Sequence, residues 1–298
     1  MTPILLGLIG LCLAYPAPQM LGHASWPYRA PRAAILLWQS LALAAILAML
    51  GAGLATALWL VTAGNLTTIK VFAHFVVLSL TLVVAVRLAW SLVTVARETR
   101  KRRRRQRNLL DLLATRDGAV PGLRILEEQT PVAFCLPDHA HARVILTRGA
   151  LDCLDADELA AVLEHERAHV HRRHDLVLEG SIILHRAFPR VRSTDNALRQ
   201  SQILIELLAD DSARKTTGAT PLARALVRLS AGPIPQGSLG AGNATVLRLA
   251  RLESSEGEHR GLAALAYVLA ATVLIGPTLG LAVPWVIGAW HILIDRSR

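Results

Sequence analysis

Two histidines and a glutamate lie close together in the stretch His165-Glu166-Arg167-Ala168-His169, a pattern able to bind a metal. In a helix, residues four apart share one side at about 5 to 6 Å, so both imidazoles can reach one Zn²⁺ at roughly 2.1 Å. Glu166 falls between the histidine pair and the apolar stripe of the helix. There it can take a proton from water without being a ligand itself. The spacing therefore predicts a zinc site with a general base beside it.

A third protein ligand is expected on a neighbouring helix, and the stretch 196–215 offers one. Its apolar face consists of Ile203, Leu204, Leu207 and Leu208. Beside that face, Glu206 and Asp210 lie one helical turn apart on the same side. The first can bind the metal while the second accepts the outward N–H of a ligand histidine and fixes its tautomer. We therefore predict His165, His169 and Glu206 as the metal ligands, with Asp210 behind them.

Other residues able to bind a metal fit this site less well. His174 follows the pair too closely on the same helix and is expected to point away from it. His139 and His141 are expected to be exposed in a turn. The cysteines are too far apart in the sequence for a disulfide framework or a cysteine cluster, and they are Cys12, Cys135 and Cys153. Any metal must therefore be held by histidines and carboxylates.

The elements that position these residues can be predicted from local patterns. Apolar residues at helical spacing predict a helix over 155–173, which Asp155 can cap with Glu158 completing a capping box. Upstream, 131–137 and 143–147 are short strand candidates separated by a polar turn. A strand near a zinc site is a place where an extended peptide could add through main-chain hydrogen bonds.

The composition places part of the chain in lipid. Of 298 residues, 53% are hydrophobic and only 18% charged, and the mean hydropathy is +0.41, too apolar for an ordinary soluble domain. Four apolar runs predict membrane spans, with a signal peptide as the alternative for the first: 2–15, 33–62, 69–96 and 262–294. The predicted organisation is a three-span membrane region at 1–96, a polar globular domain that contains the predicted zinc site at 97–260, and a final span at 261–298.

Basic residues predict the orientation of these spans. A run of arginines and one lysine over 97–107 follows the third span, and Arg29 and Arg32 precede the second. By the positive-inside rule both loops are cytoplasmic, which predicts a cytoplasmic domain and external termini. Aromatic residues do not interleave the basic run, so we expect lipid headgroup contact and no direct nucleic-acid binding. His74 and Arg87 are ionisable groups within the third span, where a functional role and snorkelling to the interface both remain open.

The region 131–175 resembles membrane zinc metallopeptidases of the BlaR/MecR antirepressor type, and it is nearly as similar to the HtpX and Ste24 type. The resemblance is carried by the short strands and by three stretches: LTRGAL at 146–151, DELAAVL at 157–163, and HERAHVHRRHD at 165–175. Three spans before the domain and one after it favour the BlaR/MecR type. The chain ends about four residues past its last span, so a penicillin-binding sensor is not expected and beta-lactam sensing is not carried over.

The resemblance implies His165, His169 and Glu206 as zinc ligands, Glu166 as catalytic base, and cleavage of a cytoplasmic repressor or of the protein itself. The predicted fold is an α-helical membrane protein of about four spans with a mainly helical α+β, zincin-like cytoplasmic metallopeptidase domain. The predicted function is that of a multi-pass cell-membrane zinc endopeptidase, of gluzincin-like HExxH kind and of bacterial origin, acting in signalling or stress. The alternative is a catalytically silent membrane receptor or adaptor with a structural zinc site.

Overall fold

The computed structural model describes residues 2–62, 67–116, 123–136, 143–230, 241–254 and 258–295, and most of them are helical. The helices are α1 (Thr2–Ala14), α2 (Pro16–His23), α3 (Pro31–Thr62), α4 (Thr68–Leu113), α5 (Arg148–Cys153), α6 (Ala156–His171), α7 (His174–Ala187), α8 (Arg192–Thr217), α9 (Ala219–Ser230), α10 (Ala241–Glu253) and α11 (Arg260–Asp295). The strands are β1 (Ala114–Arg116), β2 (Leu123–Leu126), β3 (Ala133–Leu136) and β4 (Arg143–Thr147).

Four helical segments within these described ranges are long and apolar enough to cross a bilayer. They are Pro3–His23, Pro31–Ala57, Thr68–Leu113 and Arg260–Leu279. Each overlaps one of the apolar runs that predicted a span, with different ends. The first combines α1 and α2, and α4 continues from its apolar part through the basic run without a break.

The chain divides into two compact units. The first contains Met1–Thr94, Gly180–Gln200 and Arg260–Arg298, and the second contains Val95–Glu179 and Ser201–His259. The domain boundaries 1–96, 97–260 and 261–298 stay a prediction, and the structural division groups Gly180–Gln200 with the apolar helices.

In the first unit, α3 packs against both α1 and α11. Small side chains allow the close approach of α3 to α11, where Ala30, Ala33, Ala263 and Ala266 are buried together. The segment Gly180–Gln200 is joined to the apolar helices by side chains that donate to backbone carbonyls. These bonds are Arg87 Nε to Ala187 O at 2.7 Å, Ser91 Oγ to Ile183 O at 2.7 Å, and Ser193 Oγ to Ala14 O at 2.6 Å.

The second unit contains a four-stranded sheet with the order β1-β2-β4-β3. β2 and β4 are parallel, whereas β1 with β2 and β3 with β4 are antiparallel. Side chains alternate between the two faces of a strand, so Val144 and Leu146 pack in one cluster with Val162 of α6, while Ile145 packs with Leu110 of α4. Burial on both faces explains why the centre of β4, from Val144 to Leu146, is apolar without alternation. The strands predicted over 131–137 and 143–147 are confirmed as β3 and β4.

Gly149 in α5 lies against the backbone of the loop before β3. A Cβ at this position would stand 1.8 Å from the carbonyl oxygen of Gln129, which is held by its own chain and cannot rotate away like a side chain. We expect Gly149→Ala to lower the free energy of unfolding by about 1–3 kcal/mol, as overpacking does. Thermal unfolding in detergent measures this effect. Gly7→Ala is the control, because nothing lies within 4 Å of a Cβ there, and equal midpoints for the two variants would contradict the prediction.

Candidate metal centre

The helix α6 carries the histidine pair, and its start is fixed by the sequence. Asp155 Oδ1 accepts the Glu158 N–H at 2.9 Å, and Glu158 Oε2 accepts the Asp155 N–H at 3.0 Å, so the predicted capping box is confirmed. Capping satisfies donors that the first turn leaves without partners. With the start fixed, the apolar Ala161 and Val162 are buried and His165 is carried to the inner side of the helix.

The helix α8 brings Glu206 to the histidine pair. Its buried face contains Leu204, Ile205 and Leu207. Nε2 of His165 lies 3.1 Å from Nε2 of His169 and 3.4 Å from Oε2 of Glu206. Nε2 of His169 lies 3.5 Å from Oε1 of Glu206. The three side chains form a group whose possible ligand atoms lie within 4.8 Å of one another.

This triangle fits a tetrahedral zinc ion. Ligand atoms at about 2.1 Å from zinc in tetrahedral geometry are about 3.4 Å apart, close to the three observed separations. Two imidazole nitrogens and one carboxylate oxygen are also the donor types that zinc binds. The residues predicted as ligands are therefore close enough to share one ion.

Asp210 and Arg248 lie directly behind the ligand group. Oδ1 of Asp210 lies 2.9 Å from Nδ1 of His165, on the opposite side of the ring from Glu206. Arg248 of α10 donates two hydrogen bonds of 2.7 Å to the Asp210 carboxylate, from Nε to Oδ2 and from Nη2 to Oδ1. Its Nη1 also lies 3.1 Å from Oε2 of Glu206. One guanidinium therefore links the carboxylate nearest the metal position to the carboxylate behind His165.

Burial and charge set the protonation of this group. Burial opposes a charge on His165, but the Asp210 and Glu206 carboxylates outweigh it and raise the pKa of His165 to about 9. Burial lowers the pKa of His169 to about 4, against the Glu206 charge and with the help of the charge on His165. Burial would raise the pKa of Glu206, yet its hydrogen bond to His165 and nearby positive charges lower it to about 2. His169 and Glu206 thus have the neutral and anionic forms that bind metal ions.

Glu166 is partly buried, next to His165 on α6. Its negative charge contributes, after those of Asp210 and Glu206, to raising the pKa of Arg248 against the effect of burial. The carboxylate of Glu164 instead accepts a 2.5 Å hydrogen bond from Arg167, which is exposed. The two glutamates of this stretch therefore have different surroundings, as the helical spacing predicts.

The position predicted for His174 is wrong. It was expected to point away from the histidine pair, but its Nδ1 lies 3.2 Å from Nδ1 of His169 and the ring centroids are 4.9 Å apart. The reason is a turn between α6 and α7, where Arg173 adopts a positive φ of 51°. The turn ends α6 at His171 and directs the first residue of α7 back toward the site. His174 is 4% exposed and contacts the ring of His169 on the side away from Glu206.

Sequence reasoning missed Arg248 altogether. It lies 38 residues from Asp210 in the chain, and nothing local distinguishes it from Arg251 one turn later. Arg251 instead pairs with Asp211 at 2.8 Å. The turn histidines His139 and His141 lie outside the described residues.

Part of the chain that contains the histidine pair is similar to a known peptidase family. Residues 97–184 match the model of peptidase family M48. This segment is similar to an M48 metallopeptidase. It includes both histidines and Glu166, while Glu206 and Asp210 lie beyond it.

Two curated relatives agree with the M48 similarity. The chain is 41% identical over 70 residues to a "Protease HtpX homolog" of Salinibacter ruber (strain DSM 13855 / M31), covering 22% of this chain and 25% of that protein. It is 35% identical over 72 residues to a "Protease HtpX homolog" of Sulfurovum sp. (strain NBC37-1), covering 24% and 26%. The chain thus spans about a quarter of the length of each relative. No solved structure matches.

The M48 similarity supports a metalloprotease, and family M48 peptidases are typically zinc-dependent. Both relatives are HtpX homologues, which is the second of the two types that the sequence resembles. The BlaR/MecR subtype is not distinguished by these matches.

Arg248→Lys is expected to weaken zinc binding by the M48-like site about 10-fold, since outer partners of metal ligands typically contribute 10- to 100-fold. Lysine keeps the charge but cannot make the paired hydrogen bonds to Asp210. Competition with a chromogenic chelator measures the affinity. Arg251→Lys is the matched control on the same helix, because Arg251 bonds Asp211. Identical affinities in the two variants would show that Arg248 does not support the site.

Proposed function

We propose that the chain is an integral membrane zinc endopeptidase that cleaves a cytoplasmic protein, such as a transcriptional repressor, or itself, in a signalling or stress response. The observation that carries this proposal is the convergence of His165, His169 and Glu206, with Glu166 next to the first ligand in a segment similar to family M48. We propose the BlaR/MecR type on the order of the apolar helices, three before the site and one after it.

His165, His169 and Glu206 would hold the ion, which when bound supplies a Lewis acid that polarises the scissile carbonyl. Glu166 takes a proton from the attacking water and gives it to the leaving amine. Asp210 orients the ring of His165 through Nδ1, and Arg248 in turn fixes Asp210 with its two bonds of 2.7 Å. The peptide binds alongside the strand β3, which is at the edge of the sheet.

A receptor with a structural zinc site is the competing function. Structural zinc sites are closed by four protein ligands, whereas catalytic sites use three and keep a position open. Among the described residues, the group able to hold a metal contains three side chains. This ligand number supports the peptidase over the receptor.

The test compares cells producing wild type with cells producing Glu166→Gln, by sequencing the new N-termini of cytoplasmic proteins and of the chain itself. The expected result is a set of cleavages present in wild type and absent in Glu166→Gln. Glu164→Gln is the matched control, because Glu164 bonds Arg167. If Glu166→Gln and wild type give the same N-termini under activating conditions, the peptidase function is rejected.

The location we propose is the cell membrane with the catalytic unit in the cytoplasm, because the basic run 97–107 continues directly from an apolar helix. At each site we would fuse one reporter enzyme that works only in the cytoplasm and one that works only outside it. After Arg260 only the cytoplasmic reporter is expected to be active, and after Arg298 only the external one. A fusion before Arg29 is the control. It lies in the loop that is also predicted to be cytoplasmic, so it should give the same signal as the fusion after Arg260. Reversed signals would place the site on the wrong side for a cytoplasmic substrate.

A further inference from the structure

The unit of apolar helices encloses a cavity of about 380 Å³ that the peptidase chemistry does not use. It lies among α1, α3 and α4 and the segment Gly180–Gln200. Its walls are almost entirely apolar and include Leu41, Ala42, Ala45, Leu80, Val84 and Phe188. An apolar space of this size in a membrane-facing unit suits a hydrocarbon chain better than water, because water there would find few polar partners.

One polar group in the wall has no protein partner. Trp38 lines the cavity and is 2% exposed, and its indole N–H has no hydrogen-bond partner among the described residues. A buried donor without an acceptor is unfavourable, so most such groups in proteins are satisfied. The two buried hydroxyls of the wall do have partners, since Ser193 donates to Ala14 O and Thr194 donates to Phe188 O, while Tyr15 is exposed. A molecule that fits this cavity would therefore be mainly apolar and would carry one oxygen atom that accepts a hydrogen bond from Trp38.

Positive charge lies beside the same cavity. The Arg87 guanidinium lies 5.7 Å from the ring centroid of Phe188, which is a wall residue, and its Nε donates to Ala187 O. Arg190 and Arg192 are exposed on either side of Val191, another wall residue. Arg87 also lies on α4 ten residues before the basic run that starts at Arg97. These charges favour an anionic headgroup.

We propose that this cavity binds one acyl chain of an anionic phospholipid. The ester carbonyl oxygen accepts a hydrogen bond from the Trp38 indole, and the phosphate pairs with Arg87 and its neighbouring arginines. Trp38 is in the second turn of α3, a depth at which tryptophan meets the lipid interface and ester groups are present. The inference rests on the membrane placement proposed above, and it does not depend on peptidase activity.

The test uses full-length protein in nanodiscs of phosphatidylcholine doped with phosphatidylglycerol that carries a photoreactive group in its acyl chain. We expect crosslinks concentrated on the peptides that contain Trp38 to Met49 and Leu184 to Ala197. Unlabelled phosphatidylglycerol should compete, and phosphatidylcholine or a free fatty acid should not. If phosphatidylcholine or the fatty acid competes equally, or if crosslinks spread over all apolar helices, the proposed site is rejected.

Two variants of cavity residues and one control variant make the test specific. Ala42→Leu places a larger side chain in the cavity wall and should reduce the concentrated crosslinks, whereas Ala264→Leu adds the same side chain on an exposed helix position and should change nothing. Trp38→Phe keeps an aromatic ring but removes the indole N–H, and it should weaken competition by phosphatidylglycerol up to about tenfold, as the loss of one hydrogen bond does. Unchanged labelling in Trp38→Phe and Ala42→Leu overturns the proposal. If alkaline carbonate releases the protein from membranes, the proposed integral membrane location is wrong, and that result is distinct from failure of the lipid site.

Discussion

Purified protein with Glu166→Gln is expected to keep its zinc and its thermal stability while its peptidase rate falls by at least about 100-fold. Glutamine preserves the shape of the side chain but cannot accept the proton from the attacking water. Glu166 is absent from the triangle formed by His165, His169 and Glu206, so metal binding should be unaffected. Zinc content by metal analysis, an unfolding curve and the cleavage rate on a casein substrate or on the chain itself are the three measurements.

Glu164→Gln is the matched control for this rate. Glu164 is two residues away on α6 and its carboxylate bonds Arg167, so its neutralisation should leave zinc and rate near those of wild type. Equal rates for wild type and Glu166→Gln would show that the general base lies elsewhere. Loss of zinc from Glu166→Gln would make Glu166 a ligand and contradict the three-ligand site.

Zinc should be lost from His169→Ala and from Glu206→Ala, with affinity at least about 100-fold lower, because a missing ligand affects binding more than a missing outer partner does. Both side chains contribute an atom to the ligand triangle, and those atoms lie 3.5 Å apart. Metal analysis after dialysis against a weak chelator measures the loss.

His171→Ala is the control for the histidine. It is on the same helix two residues from His169, is exposed, and bonds only the carbonyl of Arg167 through Nδ1 among the contacts described. His171→Ala should therefore retain zinc. Full zinc in Glu206→Ala would remove Glu206 from the ligand set, and zinc loss from His171→Ala would mean that the motif binds metal through a different pair.

Local patterns were sufficient for the parts of this molecule that are fixed by neighbours in sequence. The start of α6 depends on Asp155 and Glu158, three residues apart, and both partners of the capping box can be read in the sequence. The apolar run of β4 likewise predicts a strand because both of its faces are buried. These elements require no knowledge of distant contacts.

Features that depend on contacts between residues far apart in the sequence could not be predicted from local patterns. β2 was missed because Leu123–Leu126 pairs with strands elsewhere in the chain, antiparallel with β1 and parallel with β4, about twenty residues later. Arg248 was missed because its acceptor, Asp210, is on another helix. The position of His174 was wrong because one residue, Arg173, leaves the helical conformation, and the sequence has no glycine there to signal the turn.

The turn at Arg173 also sets which side chains this position can carry over evolution. A residue with φ of 51° is in the left-handed region, which glycine and asparagine adopt readily and β-branched residues strongly avoid. Arginine occupies it with some strain, so the backbone shape limits which side chains fit at this position. We expect a glycine or an asparagine in place of Arg173 to leave His174 against His169, whereas valine or isoleucine should displace that histidine from the site.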